Sequence, residues 1–315
     1  MGKIAFMFPG QGSQTVGMGK SLADADNTVK SYFDQADEKL NFSLSNLIFE
    51  GPQEELTLTT NAQPALLTTS IAILEFFKQS GIKPDYVAGH SLGEYTALVA
   101  AGAISFEDGV YAVRKRGEYM EEAVPNGEGT MAAVLGLDRD TLKAVTDEVT
   151  NGGNSVQLAN LNCPGQIVIS GSKQGVEIAS VKAKDAGAKR VMPLVVSGPF
   201  HSELMKPAAE KFRNILEEIQ VNDAEIPVIA NVTAAELTSA DEIKEKLIQQ
   251  LYSPVLWEDS VQKMISLGVD TFIEIGPGKV LSGLVKKIDK NVKIFAVSDQ
   301  ETCSAVIESL KEETQ

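Results

Sequence analysis

Apolar residues fall in short continuous runs, and longer segments with helix-like spacing lie between them. Short buried strands alternating with helices predict an α/β fold. Ile4 to Phe8 is the first run and reads as a buried strand. Polar, helical segments follow from Met18 to Phe49. Asn61-Ala62-Gln63-Pro64 then opens a long helix, since proline is tolerated in a first turn. Ala65 to Gln79 is mostly apolar, so this helix is predicted to be buried, and Gly81 stops it. Tyr86 to Ala88 is a second short run. It enters Gly89-His90-Ser91-Leu92-Gly93, and a helix-grade stretch from Glu94 to Ala101 comes next. Ser105, backed by Glu107 and Asp108, predicts an N-cap for a helix reaching about Ala123.

Pro125-Asn126-Gly127-Glu128-Gly129 marks a boundary. Beyond it the pattern gives a strand (Thr130 to Leu135), a helix (Asp138 to Thr150) and a strand (Ser155 to Leu161). A turn at Asn162-Cys163-Pro164-Gly165 leads to a strand (Gln166 to Ser170), a helix (Lys173 to Ala186) and a strand (Lys189 to Val196). This β-α-β-β-α-β order is ferredoxin-like. The chain is therefore expected to form a larger, hydrolase-like α/β domain with a mainly parallel sheet, residues 1–127 and 198–315. A small ferredoxin-like subdomain, 128–197, is inserted in it. After the insertion, Ser202 is expected to cap a helix from Glu203 to Ile219. The remainder alternates again: strand Val228 to Val232, helices Asp241 to Leu251 and Trp257 to Leu267, strand Thr271 to Ile275, helix Lys279 to Ile288, strand Val292 to Val297, and a terminal helix. The polar tail from Lys311 to Gln315 is expected to fray.

Composition narrows the setting. A chain of 315 residues with 43% hydrophobic and 23% charged residues has ample core for about two domains. A net charge of −15 argues against general nucleic-acid binding or an anionic membrane surface. Cys163 and Cys303 are the two cysteines, too few for a disulfide framework and without metal-ligand spacing. The amino-terminal residues lack the apolar core of a signal peptide, and no apolar run approaches bilayer length. A cytoplasmic protein is expected.

Gly89-His90-Ser91-Leu92-Gly93 fits the G-x-S-x-G nucleophile elbow, in which a strand-to-helix turn lifts a serine clear of its backbone. The first free N–H groups of the following helix favour negative charge developing there. A plain glycine-rich turn is the competing explanation. If Ser91 needs an imidazole base, only His90 and His201 are available. Neighbours on a tight turn point in different directions, which favours His201 and leaves His90 as a buried support for the elbow. No acidic residue is singled out to orient the imidazole; a carbonyl could do that work. Arg116 shares a helix face with Ala112, Val113 and Met120, whereas Arg114 lies on another face and pairs with Glu118 at i+4. A guanidinium on an apolar face needs an anion. Spacing alone leaves open an internal carboxylate, a side chain that snorkels to solvent, or a ligand. Gly10-Gln11-Gly12 after the first strand lacks the third glycine of a dinucleotide fingerprint, and instead offers backbone N–H groups at the carboxyl end of the sheet.

Taken in order, Gly10-Gln11-Gly12-Ser13-Gln14, Gln63-Pro64-Ala65, Gly89-His90-Ser91-Leu92-Gly93-Glu94, Arg116-Gly117, Phe200-His201-Ser202 and Gly276-Pro277-Gly278 carry a resemblance. The chain resembles the acyltransferases of fatty-acid and polyketide synthesis over essentially its whole length. The resemblance implies transfer of a malonyl group from malonyl-CoA to the phosphopantetheine thiol of an acyl carrier protein, with no tightly bound cofactor and no metal. It implies Ser91 as nucleophile, His201 as base, and the backbone N–H groups of Gln11 and Leu92 as oxyanion hole. The main-chain carbonyl of Gln250 would orient His201, and Arg116 would hold the malonyl carboxylate. Phe200 and Gln63 would complete the substrate-binding set, Phe200 resembling the malonyl-selective type. A monomer is expected. The competing function is a serine thioesterase or esterase of the α/β-hydrolase type, although such enzymes place their histidine late in the chain.

Overall fold

The computed structural model describes residues 2–125 and 127–312. The expectations for Met1, for Asn126 in the boundary segment and for 313–315 of the tail lie outside the described residues. β1 (Lys3–Phe8) is followed by α1 (Lys20–Ala25), α2 (Asn27–Leu40), α3 (Leu44–Glu50) and α4 (Gln53–Thr57). The long α5 (Thr59–Phe77) then leads to β2 (Tyr86–Gly89), α6 (Leu92–Ala100) and α7 (Phe106–Glu122). Next come β3 (Gly129–Leu135), α8 (Arg139–Asn151), β4 (Val156–Cys163), β5 (Gln166–Ser172), α9 (Lys173–Asp185) and β6 (Arg190–Pro193). The chain continues through α10 (Lys206–Glu218), β7 (Val228–Ile229), β8 (Glu236–Leu237), α11 (Ala240–Gln250) and α12 (Trp257–Ser266). It closes with β9 (Val269–Ile275), α13 (Val280–Ile288), β10 (Lys293–Val297) and α14 (Gln300–Glu312).

One sheet has the order β10-β9-β1-β2-β7-β8 and is parallel except for β8. Both faces are covered, which is why its strands are continuous apolar runs rather than alternating ones. Ile4, Phe6 and Phe8 of β1 join one core cluster, while Ala5 and Met7 join another on the opposite face. A second, antiparallel sheet has the order β4-β5-β3-β6, the ferredoxin-like arrangement. Ala132 and Val134 of β3 pack under α8 and α9, while Met131 and Ala133 join the core of the larger unit. No helix among the described residues is long and apolar enough to cross a membrane.

Several local expectations are corrected. The long helix starts at Thr59, two residues before Asn61, so Pro64 lies within it rather than in its first turn. Proline has no N–H to give the carbonyl four residues back. That carbonyl, of Thr60, instead accepts from Arg114 Nη1 at 3.2 Å. Ser202 does not cap a helix: its hydroxyl donates to the Pro199 carbonyl at 2.6 Å, and a 3-10 turn, Glu203–Met205, precedes α10. The strand expected to reach Val196 ends at Pro193, and residues 194–196 line a cavity instead. The strand expected to reach Val232 ends at Ile229, which leaves Asn231 free to turn toward the elbow. The short α4 and β8 carried no periodic signal.

Candidate active site

β1 and β2 are adjacent and parallel, so the loops after them meet at one end of the sheet. Ser91 ends the β2 loop at φ +52°, a left-handed conformation rare for a residue with a side chain. The turn is closed tightly enough that a Cβ on Gly89 would sit 1.9 Å from the Gly93 carbonyl oxygen, and one on Gly93 would sit 2.1 Å from that of Phe8. Any side chain at either position would push the elbow apart.

His201 arrives from the other crossing of the chain between the two units, also at positive φ, +58°. Its Nε2 lies 2.8 Å from Ser91 Oγ, and its Nδ1 lies 2.8 Å from the Gln250 carbonyl oxygen at the end of α11. Nδ1–H donates to that carbonyl, which leaves Nε2 as the acceptor for the serine hydroxyl. His201 is buried, and burial first and the Arg116 charge second push its pKa down to about 3. The imidazole is thus neutral, with the Nε2 lone pair facing the serine hydroxyl.

Arg116 is 1% exposed, and its guanidinium reaches the same point. Nη2 donates to Ser91 Oγ at 3.1 Å and to Gln250 Oε1 at 2.8 Å, and Nη1 donates to Gln63 Oε1 at 2.8 Å. No carboxylate lies within ion-pair distance of it among the described residues, and Nε has no acceptor. Of the two anions that spacing left open, the internal ion pair is therefore not made in direct contact. Arg114 pairs with Glu118 at 3.0 Å, as its position on the helix predicts.

Gln11 Nε2 donates to Thr59 Oγ1 at 3.1 Å, which draws the side chain aside. The Gln11 and Leu92 N–H groups have no main-chain acceptor among the described residues. Together with Ser91, His201, Arg116, Phe200, His90 and Asn160 they border a cavity of about 220 Å3. Gln63 does not line this cavity; it is fully buried behind Arg116. His90 is half-buried, with Nε2 2.8 Å from Asn162 Oδ1 and its ring against Trp257. Burial pushes its pKa down, partly offset by Asn162. A larger cavity, about 550 Å3, lies beside α9 and shares Met131 and Val196 with this one, but no serine-histidine pair faces it.

Three contributors carried little signal. Asn231 Oδ1 accepts from the Ser91 N–H at 2.7 Å, and its Nδ2 donates to the Gly89 carbonyl at 2.7 Å, so this amide ties the elbow together. Nothing about an asparagine two residues past a short strand marks it. The Gln250 side chain is engaged as well as its carbonyl: Nε2 donates to Glu94 Oε2 at 2.6 Å and to the Ser91 carbonyl at 2.9 Å. Glu94 is fully buried and accepts from the Asn231 N–H at 3.2 Å, and burial raises its pKa to about 7.

An α/β fold with a serine on a strand-to-helix elbow, and a histidine held by a main-chain carbonyl, defines a serine-dependent acyl-transfer protein. The chain belongs to the family described as the acyl transferase domain, whose family model matches residues 5–314. It is 67% identical over 313 residues to the malonyl CoA-acyl carrier protein transacylase of Bacillus subtilis (strain 168), covering 99% of each chain. It is similar in structure to an acyl carrier protein S-malonyltransferase from Vibrio cholerae, with TM-score 0.94, 46% identity, and 96% and 99% of the two chains covered. A malonyl-transacylase solved in complex with its type II PKS acyl-carrier protein matches with TM-score 0.94 and 44% identity, over 98% and 99% of the chains.

Proposed function

We propose that this protein moves a malonyl group from malonyl-CoA to the phosphopantetheine thiol of an acyl carrier protein, through a malonyl ester on Ser91. The observation that carries the mechanism is the meeting of two groups at one oxygen: His201 Nε2 at 2.8 Å and Arg116 Nη2 at 3.1 Å from Ser91 Oγ. His201 takes the hydroxyl proton as Oγ attacks the thioester carbonyl. The oxyanion is received by the N–H groups of Gln11 and Leu92, and losing one such donor typically costs about 10²–10³ in rate. The C–S bond breaks, the imidazolium returns its proton to the CoA sulfur, and CoA leaves. In the second half-reaction His201 takes the proton of the carrier thiol, sulfur attacks the ester, and Oγ leaves with that proton.

Arg116 gives selectivity. Its planar fork matches a carboxylate at two points, as lysine's ammonium does not. The Nη2 proton now on Ser91 already points to the site. Gln250 orients His201 through its carbonyl, Gln63 holds Arg116 from behind, and Phe200 forms an apolar wall of the acyl pocket. The 128–197 subdomain closes one side of the cavity with Met131, Asn160 and residues 194–196. The reaction supplies extender units for fatty-acid synthesis in the cytoplasm and needs no resident cofactor. The charge of −15 meets an acidic carrier protein, so docking falls to local basic groups such as Lys286 and Lys287.

Initial-rate kinetics with malonyl-CoA and a carrier protein test this reading. Parallel double-reciprocal lines support it. Rapid release of free malonate with no acceptor present would instead assign the protein to the thioesterases.

A further inference from the structure

The carboxylate of Glu94 sits beneath the site with no exposed surface and touches neither Ser91 Oγ nor the cavity. Besides the Asn231 N–H, its contact toward the site runs through one neutral side-chain amide. Gln250 spends both Nε2 protons on Glu94 Oε2 at 2.6 Å and on the Ser91 carbonyl at 2.9 Å. That leaves Oε1 turned to Arg116 Nη2 at 2.8 Å. Reversing the amide would set its oxygen against a carboxylate and a carbonyl, and its NH2 against a guanidinium. All three contacts would be unfavourable. Three partners set this orientation together, and the acceptor at residue 94 is the one of them that does not border the cavity. We infer that Glu94 is a positioning residue: it fixes the Gln250 amide and, through it, the aim of the Arg116 guanidinium at the acyl group.

The groups around Glu94 favour an acceptor there, while burial opposes its charge and raises its pKa to about 7. Glu94 lies in the first turn of α6, where the helix dipole favours an anion. Arg116 of α7 acts on it from one side and Tyr95 stands beside it on α6, while Gln250 of α11 and Asn231 after β7 face it as neutral donors. A glutamine at this place could accept from Gln250 or from Asn231 N–H. It could not accept from both without turning its own NH2 toward a donor.

The inference rests on Arg116 as the partner of the malonyl carboxylate, so the test separates the two. Acyl-enzyme formation is measured with malonyl-CoA and with acetyl-CoA for the wild type, Arg116→Ala, Glu94→Gln and the double variant, each checked by thermal unfolding. Glu94→Gln is expected to lower malonyl loading roughly 10–100-fold, the scale of a misaimed contact, and acetyl loading several-fold less. On the Arg116→Ala background it should leave the malonyl-to-acetyl ratio where Arg116→Ala put it. Equal losses for both substrates, or a further fall of the ratio in the double variant, would overturn the inference. If Arg116→Ala leaves the ratio unchanged, the selectivity reading itself fails. Should Glu94→Gln not fold, Glu94→Asp, whose carboxylate stops one methylene short of Gln250, takes its place. It should lower the ratio by less, and a wild-type ratio overturns the inference.

Discussion

His201 Nδ1 lies 2.8 Å from the main-chain carbonyl oxygen of Gln250, so the imidazole is oriented by a neutral backbone group rather than by an acid. A carboxylate at that point would stabilise the imidazolium and raise the histidine's pKa. Here the ring is buried beside a guanidinium, and its pKa is about 3. Reaction of Ser91 with a neutral serine-directed reagent should therefore stay level from about pH 8 down to about pH 5, since an unperturbed histidine would already titrate near 6.5. A fall with its midpoint near 6.5 would contradict the neutral-base geometry.

His201 and Glu94, both buried, are expected to contribute to stability with opposite pH dependence. A histidine depressed below 6.5 in the folded state contributes stability that is present above 6.5 and is lost as pH falls toward 3. Glu94, raised from 4.5 to about 7, contributes stability present below 4.5 and lost as pH rises through 7. Glu94→Gln removes the second effect. Its stability relative to the wild type, from urea unfolding, should improve between pH 5 and pH 8; a constant difference would argue that the carboxyl titrates normally.

Substrate choice should follow Arg116. Arg116→Ala is expected to reduce the preference for malonyl over acetyl by about 1.5–3 kcal/mol, the usual worth of a hydrogen bond to a charged group. Competition between the two CoA esters measures it directly, and an unchanged ratio would remove the role. Arg116→Lys should recover little, because a single ammonium cannot span Gln63, Gln250 and a carboxylate together.

Much of this site is written in short-range sequence features. The elbow shows because its strand, glycines and helix are contiguous, and the scarcity of histidine leaves only two choices of base. Arg116 is marked by its place on an apolar helix face. The amide network is different: Asn231 and the Gln250 side chain act across 140 and 159 residues of chain, and neither sits in a pattern that local spacing can distinguish. The same limit explains Pro64, whose helix is stitched to α7 by Arg114, whereas Ser202 loses its capping role locally, because its hydroxyl is taken by the Pro199 carbonyl three residues back.

Carrier-protein docking should depend on the basic end of α13. Lys287 Nζ already reaches Gln166 Oε1 of the small unit at 3.1 Å, so this cation lies where the two units meet. Charge reversal at Lys286 and Lys287 is expected to raise KM for the carrier protein and to spare the CoA half-reaction. Equal effects on both half-reactions would refute the patch.

The covalent step is tested most directly by intact-protein and peptide mass spectrometry after mixing with malonyl-CoA alone. One malonyl group should appear on the peptide containing Ser91, persist without an acceptor, disappear on addition of a carrier-protein thiol, and be missing from Ser91→Ala. An unmodified Ser91, or an adduct that discharges to free malonate before any thiol is supplied, would contradict the account.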